Sequence, residues 1–256
     1  MVKQLGVNNI KSMRMEMSKF IMPYKFAVDE INTKINILKE EFTHLHEYNP
    51  IEHISSRVKT VESIIKKVYR RKIDLSFEAI KKEIHDIAGV RVTCSFTSDI
   101  YKIKEMIESQ QDINVLLVKD YFKNPKPNGY RSLHIIVEIP IFLSDRTEHI
   151  PVEIQIRTIA MDFWASLEHK IFYKYNKNIP QTLTDELKNA ATAAAELDTK
   201  MEHLNEEISR YKETDIIEET AITKDISDYL LEDEKFPTDF IKSLVANSDE
   251  SKENVQ

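Results

Sequence analysis

Apolar residues at Ile21, Tyr24, Val28, Ile31, Ile35, Leu38 and Phe42 step along the chain by three and four. That spacing predicts one face of a long helix, with Pro23 tolerated near its start. A short linker containing Asn49-Pro50 follows. Residues 57–71 read as a second helix, with Val61, Ile64, Ile65 and Val68 inward and Lys59, Ser63, Lys67 and Arg70 along the other side. A third helix is expected over Phe77–His85. The period then drops to two: in "AGVRVTCSF", Val90, Val92, Cys94 and Phe96 alternate with Arg91, Thr93 and Ser95. Ile100–Glu108 reads as helix, and Asn114–Lys119, Ser132–Ile139 and Val152–Arg157 as further strands.

Thr158–Tyr173 and Leu183–Tyr211 return to the helical period. In the second, Leu183, Leu187, Ala190, Ala194, Leu197, Met201, Leu204, Ile208 and Tyr211 hold a four-three spacing fit for a coiled coil. Such a stripe either wraps back onto its own domain or pairs with another subunit. Two further helical stretches are expected near Ile226–Leu231 and Phe240–Val245, before a polar, disordered end. The predicted fold is α/β (α+β): a mixed β-sheet of about five strands flanked by helices, with long N- and C-terminal helices.

Composition narrows the function. The chain has 256 residues, 41% of them hydrophobic, so a packed core is feasible. No apolar run approaches membrane-spanning length, and no membrane partner is expected. The single Cys94 leaves no intrachain disulfide or cysteine-based zinc cluster and fits a cytoplasmic protein. Only Gly6, Gly89 and Gly129 are glycines, too few for a dinucleotide fingerprint or a Walker loop. A nucleotide would have to be held by side chains. Net charge is −7, but the stretch from Glu213 to the end holds 13 acidic and 4 basic residues, whereas Ser55–Val92 holds 10 basic and 5 acidic. A mildly basic body with an acidic tail suits a local anionic ligand rather than duplex DNA.

Four constellations could carry chemistry. Lys59, Ser63 and Lys67 recur at i, i+4 and i+8, so one helix side could hold a polyphosphate; the plainer alternative is a solvated basic face. Asp86 precedes a buried strand, where an acid either binds Mg²⁺ or caps a turn, and Arg91 lies on that strand's polar face. In "KDYFKNPKPNGYRSLH", Asn128-Gly129 forms a tight turn and places Tyr130 at a strand's start, where an exposed ring could stack on a base. Lys119, Lys126, Arg131 and His134 surround it. In "EIQIRT", Glu153, Gln155 and Arg157 share one strand face; three long polar chains there need partners, either at a site or in an ion pair with Arg91. His44, His46 and His203 read as surface residues, Cys94 as core, and Phe163–Trp164 as helix packing. Two acids, several cations and a tyrosine on one sheet face suit metal-assisted phosphoryl transfer.

"RVKTVESIIKK", "HDIAGVRV", "KDYFKNPKPNGYRSLH" and "EIQIRTIAMDFWASLEHKI" resemble, in order, the motifs of the RelA/SpoT-type (p)ppGpp synthetase domain. The resemblance covers roughly Pro23 to Tyr211. "PYKFAVDEINTKI" and "MDFWASLEHK" are similar to the short members, the small alarmone synthetases. Ser56 stands where the family commonly has glycine. The His-Asp…Glu-Asp motif of the family's hydrolase domain is absent, so no hydrolase activity is expected. The implied organisation is an extension over 1–22, a synthetase domain over 23–212 and an acidic tail over 213–256.

The resemblance implies transfer of pyrophosphate from ATP to the ribose 3′-hydroxyl of GDP or GTP. It implies that Arg57 and Arg91 sandwich the adenine, while Lys59, Ser63, Lys67 and Lys25 hold phosphates. Asp86 would bind Mg²⁺. Tyr130 would stack on guanine beside Asn128 and Lys126, with Lys119 and His134 on the acceptor's 5′-phosphates. Glu153 would take the hydroxyl proton and touch the metal, supported by Gln155. A homotetramer is implied, and a central cleft for (p)ppGpp or single-stranded RNA is left open. Two rivals stand beside this reading: the same fold acting on adenine nucleotides or a tRNA end, and a non-catalytic RNA or nucleotide binder.

Overall fold

The computed structural model describes residues 2–46, 48–172 and 179–222. In chain order these form α1 (Val2–Leu45), β1 (Ile51–Val58), α2 (Val61–Arg71), α3 (Phe77–Glu83), β2 (Ala88–Cys94), α4 (Thr97–Glu108), β3 (Asn114–Asp120), β4 (Leu133–Phe142), β5 (Thr147–Thr158), α5 (Ile159–Phe172) and α6 (Gln181–Ile222). The expected helical stretches at 226–231 and 240–245, and Tyr173, lie outside the described residues.

The strands make one sheet in the order β1-β2-β5-β4-β3. β2 and β5 run parallel, and the other neighbours are antiparallel. The sheet is therefore mixed, as the interleaving of strands with helices predicts. Period-two burial separates its faces. Val90, Val92 and Cys94 of β2, Ile135, Val137 and Ile139 of β4, and Val152, Ile154 and Ile156 of β5 are buried in the main core. Tyr24, Ile31 and Ile35 of α1 and Ile100, Ile103 and Ile107 of α4 join the same core.

Two expectations are corrected. Ile51–Val58 is a strand rather than a linker leading into a helix. As an edge strand with one neighbour it keeps mostly polar, exposed positions, and a register shift between Ile51 and His53 breaks its alternation. Arg57 therefore stands on β1, and Lys59 precedes the helix. α2 begins only after Thr60, whose hydroxyl accepts from the Ser63 amide at 3.3 Å. In the second correction, α1 starts well before Pro23, which is buried inside it. The helix gives up one backbone bond there, and burial of its apolar face sustains it.

α6 packs with only part of its heptad stripe: Leu187 and Ala194 lie against the Trp164 cluster. Leu183, Leu197 and Met201 of that stripe are 54%, 52% and 46% exposed. The buried positions are Ala191 and Asp198. Ala191 joins Trp164 and Ala165 in a small second cluster, and Trp164 Nε1 donates to the Leu187 carbonyl at 3.1 Å. Phe163, beside it, is exposed and takes no part in that packing. The chain divides into two units, Met1–His203 and Leu204–Gln256. The sheet and the site belong to the first. In the second, Leu204, Ile208 and Tyr211 on α6 are exposed. No helix among the described residues is long and apolar enough to cross a membrane.

Candidate active site

The sheet face opposite the main core carries two rows of side chains, set by strand register. Arg57, Gly89, Glu153 and Ile136 are paired in one row across β1, β2, β5 and β4. Ser55, Arg91, Gln155, His134 and Lys119 form the next row, reaching β3. Residues from four separate sequence stretches thus converge because paired positions in a sheet share a face.

Two polar cavities open on this face. One, of about 70 Å³, is lined by Ser55, Ser56, Arg57, Asp86, Gly89, Val90, Arg91, Glu153 and Gln155. The other, of about 220 Å³, is lined by Lys67, Arg71, Asp86, Lys119, Tyr121, Lys126, His134 and Glu153 among others. Asp86 and Glu153 line both, so the two carboxylates form the ridge between them.

Asp86 sits just before β2. Its Oδ2 accepts from Lys59 Nζ and Lys67 Nζ, each at 2.6 Å. Burial disfavours the carboxylate, but the two ammoniums outweigh it and hold Asp86 below its ordinary value. Lys67 is shifted down, by burial first and by Lys59 and Arg71, against the pull of Asp86. Asp86 Oδ1 is buried with no hydrogen-bond partner. An unpaired anionic oxygen beside a second carboxylate suits a hard divalent cation. Among the described residues no cluster of three or more His, Cys, Asp or Glu could cage a metal alone. Such an ion would have to complete its shell with water and substrate oxygens.

Glu153 is held at both oxygens. Gln155 Nε2 donates to Oε2 at 2.7 Å, and His134 Nδ1 lies 3.3 Å from Oε1. Burial pushes the Glu153 carboxyl up, yet these partners bring it below its ordinary value. Glu153 therefore stays ionised at neutral pH, as a proton acceptor must. On the β2 side, Arg91 Nη1 lies 3.1 Å from Asp162 Oδ1 of α5, and Arg91 Nε is buried and unpaired. Among the described residues, the alternative of an ion pair between Arg91 and the β5 polar face is replaced by this pairing with Asp162. Burial, with the neighbouring Arg157 charge, shifts Arg91 down.

The loop 126–130 is closed by two backbone bonds, Lys126 N to Tyr130 O at 3.1 Å and Gly129 N to Lys126 O at 2.8 Å. Asn128 Oδ1 accepts from Tyr130 N at 3.2 Å, so Asn128 shapes the loop and lines neither cavity. Tyr130 is not the exposed ring expected. It is half-buried against the Trp164 cluster, with its hydroxyl 2.8 Å from His134 Nε2 and 2.6 Å from Arg157 Nη2. Lys126 Nζ stands 4.6 Å from the ring centroids of both Tyr121 and Tyr130. The hydroxyl draws the ring inward, because a buried polar atom needs its partners.

Not every expected residue arrives. Lys25 is exposed on α1 and lines neither cavity, and Ser63 serves the start of α2 through Thr60. Arg131 lines a separate cleft against α6 with Lys188. Sequence reasoning missed Arg71, which continues the Lys67 side of α2 by one turn and was findable from spacing. It also missed Tyr121, next to Lys119, and Asp162, whose role depends on α5 folding back over β2 and β5.

A family model described as a region found in RelA / SpoT proteins matches residues 56–178. The GTP pyrophosphokinase YwaC of Bacillus subtilis is 49% identical over 202 residues, spanning 79% of this chain and 96% of that protein. The crystal structure of small alarmone synthetase 2 from Bacillus subtilis superposes with a TM-score of 0.69 at 50% identity, covering 75% of this chain and 99% of that one. Small alarmone synthetase 1 from the same organism, bound to its product pppGpp, gives a TM-score of 0.71 at 37% identity, covering 75% and 98%. Bound to AMPCPP, it gives 0.66 at 35% identity, covering 76% and 98%.

Proposed function

Because the chain belongs to the RelA/SpoT family, among its small alarmone synthetases, we propose that it is a GTP pyrophosphokinase. It moves the β,γ-pyrophosphate of ATP to the ribose 3′-hydroxyl of GDP or GTP, making ppGpp or pppGpp. The observation that carries this reading is the shared ridge: Asp86 and Glu153 line both polar cavities. A transfer between two nucleotides needs two pockets meeting at the reacting atoms.

ATP takes the cavity bounded by Arg57 and Arg91, with its adenine between the two guanidinium groups. Its phosphates reach Lys59 and Lys67, with Ser63 behind them. The acceptor takes the cavity of Lys119, Lys126 and His134, its guanine against the Tyr130 side of the loop that Asn128 shapes. The stack uses the ring face where Lys126 now stands, so Lys126 moves aside toward phosphate. Glu153, aided by Gln155, accepts the 3′-hydroxyl proton as that oxygen bonds the β-phosphorus and the bond to the α-phosphate oxygen breaks, releasing AMP. Lys59 and Lys67 offset the charge that develops. Mg²⁺ would be held by Asp86 Oδ1 and Glu153, where it would neutralise charge on the transferred oxygens. Lys25 keeps a phosphate role only if a partner subunit or ligand brings α1 to the site.

The same reading takes the protein as a cytoplasmic homotetramer. Ile159, Phe163, Leu167 and Ile171 form an exposed stripe on α5. With Leu197 and Met201 of α6 they flank an apolar groove of about 820 Å³, which suits burial against another copy. The organisation into 1–22, 23–212 and 213–256 goes with it, as does a central cleft of the assembly for (p)ppGpp or single-stranded RNA.

Labelled ATP incubated with GDP, GTP, AMP and tRNA separates the readings. Label on GDP and GTP supports this one. Label confined to AMP or tRNA moves the enzyme to another acceptor, and none on any acceptor leaves a nucleotide binder.

A further inference from the structure

Arg157 shares the polar face of β5 with Glu153 and Gln155, yet the proposed mechanism gives it no task. It is only 5% exposed. A guanidinium is tolerated at such depth only when its donors are met. Its Nε donates to Ser132 Oγ at 3.4 Å, Nη1 to Asp162 Oδ1 at 3.0 Å, and Nη2 to both the Tyr130 hydroxyl at 2.6 Å and Gln155 Oε1 at 2.8 Å.

Two arms run from Arg157 to Glu153 and close a ring. In the short arm, Gln155 Oε1 accepts from Arg157 and Gln155 Nε2 donates to Glu153 Oε2 at 2.7 Å. In the long arm, the Tyr130 hydroxyl meets His134 Nε2 at 2.8 Å, and His134 Nδ1 faces Glu153 Oε1 at 3.3 Å. Arginine has donors and no acceptor, so it imposes a direction on each arm. The Gln155 amide must turn its oxygen to Arg157 and its nitrogen to Glu153. The Tyr130 oxygen must accept from Arg157; with its own proton then given to His134 Nε2, the ring proton lies on Nδ1, aimed at Glu153. The ionised Glu153 favours the same directions, so with Arg157 absent each arm keeps its partner at the carboxylate but loses the one behind it, and the amide and imidazole are held at one end only.

We propose that Arg157 is a positioning residue: through Gln155 on one side and Tyr130–His134 on the other, it directs both hydrogen bonds onto the Glu153 carboxylate. Asp162 anchors it from α5, and the same Asp162 oxygen lies 3.1 Å from Arg91 Nη1 in the ATP-side cavity. One carboxylate thus fixes a donor-side arginine and the support of the base together. The inference rests on Glu153 accepting the 3′-hydroxyl proton.

The test uses the full chain, with kcat, KM for ATP and for GDP, and melting temperature measured for Arg157→Gln, Arg157→Lys, Tyr130→Phe and the Arg157→Gln/Tyr130→Phe double variant. Loss of aim at the base is expected to lower kcat about 10²-fold in Arg157→Gln, with KM for ATP near the wild-type value. Arg157→Lys, which keeps a cationic donor, recovers part of the loss. The double variant is no slower than Arg157→Gln, because Arg157 already controls that arm. A folded Arg157→Gln enzyme with wild-type kcat, or single losses that multiply in the double variant, overturns the proposal. Should Arg157→Gln fail to fold, Asp162→Asn decides. It keeps an acceptor oxygen in place, and is expected to lower kcat several-fold with melting and KM for ATP little changed; unchanged kcat, or a loss that appears only as a raised KM for ATP through Arg91, overturns the proposal. A wild-type chain that transfers no pyrophosphate refutes the parent reading instead.

Discussion

Gly129 lies against Ala191 so closely that a Cβ on it would stand 2.4 Å from the Ala191 Cβ. Its φ of 88° also lies in the region that side chains rarely adopt. Both constraints act on the loop that carries Lys126 and Tyr130, which explains why a chain with few glycines keeps one there. Gly129→Ala is expected to cost about 1–3 kcal/mol and to lower the melting temperature by several degrees. The KM for GDP or GTP should rise more than the KM for ATP, because the loop borders the acceptor cavity. Steady-state kinetics and a thermal melt check both.

Asp86 carries a pH dependence of known sign. Its folded-state carboxyl lies below the ordinary 3.8 because Lys59 and Lys67 outweigh the effect of burial. A depressed carboxyl stabilises the fold above its unfolded value, and that contribution is lost as pH falls through the folded value. The melting-temperature gap between the wild type and Asp86→Asn should therefore hold near neutrality and shrink below 3.8. A gap that widens in acid would contradict the pairing.

Glu202 of α6 caps the start of α4. Its Oε2 accepts from Thr97 N and Thr97 Oγ1, each at 2.6 Å, and from Ser98 N at 3.1 Å. A carboxylate meeting free amides at a helix start is stabilising. Glu202→Gln should lower stability by about 1 kcal/mol, roughly 2–4 °C in melting temperature for a chain of this size. Calorimetry should detect this, with kcat close to wild type.

The groove between α5 and α6 bears on assembly. Phe163 is 66% exposed and Leu197 is 52% exposed in the single chain. Burying two glutamates in an apolar contact is unfavourable. Phe163→Glu combined with Leu197→Glu is expected to convert the oligomer to monomer in light scattering. A wild-type chain that is already monomeric would remove the need for the groove.

What the chain disclosed in advance followed from periodicity. Val90, Val92 and Cys94, and Val152, Ile154 and Ile156, announce buried strands because one face of each is uniformly apolar. The same alternation put Glu153, Gln155 and Arg157 on one side before any fold was in view. β1 stayed hidden because an edge strand with a register shift shows no alternation. The inward face of α6 was legible at Leu187 and Ala194 but hidden at Ala191, Asp198 and Glu202, small or acidic residues that a hydrophobic stripe does not reveal. Asp198 accepts from Thr158 Oγ1 at 2.7 Å, a contact that exists only once α6 has docked. The inward turn of Tyr130 depends on Arg157 and His134 reaching its hydroxyl, which no local spacing encodes.

The most direct test replaces Glu153 by glutamine and measures, side by side, transfer of labelled pyrophosphate and equilibrium binding of ATP and GDP. Loss of the proton acceptor is expected to slow transfer by about 10²–10⁴-fold while both nucleotides still bind. Transfer at the wild-type rate, or binding that disappears together with transfer, would contradict the assignment of the Asp86–Glu153 ridge as the place of reaction.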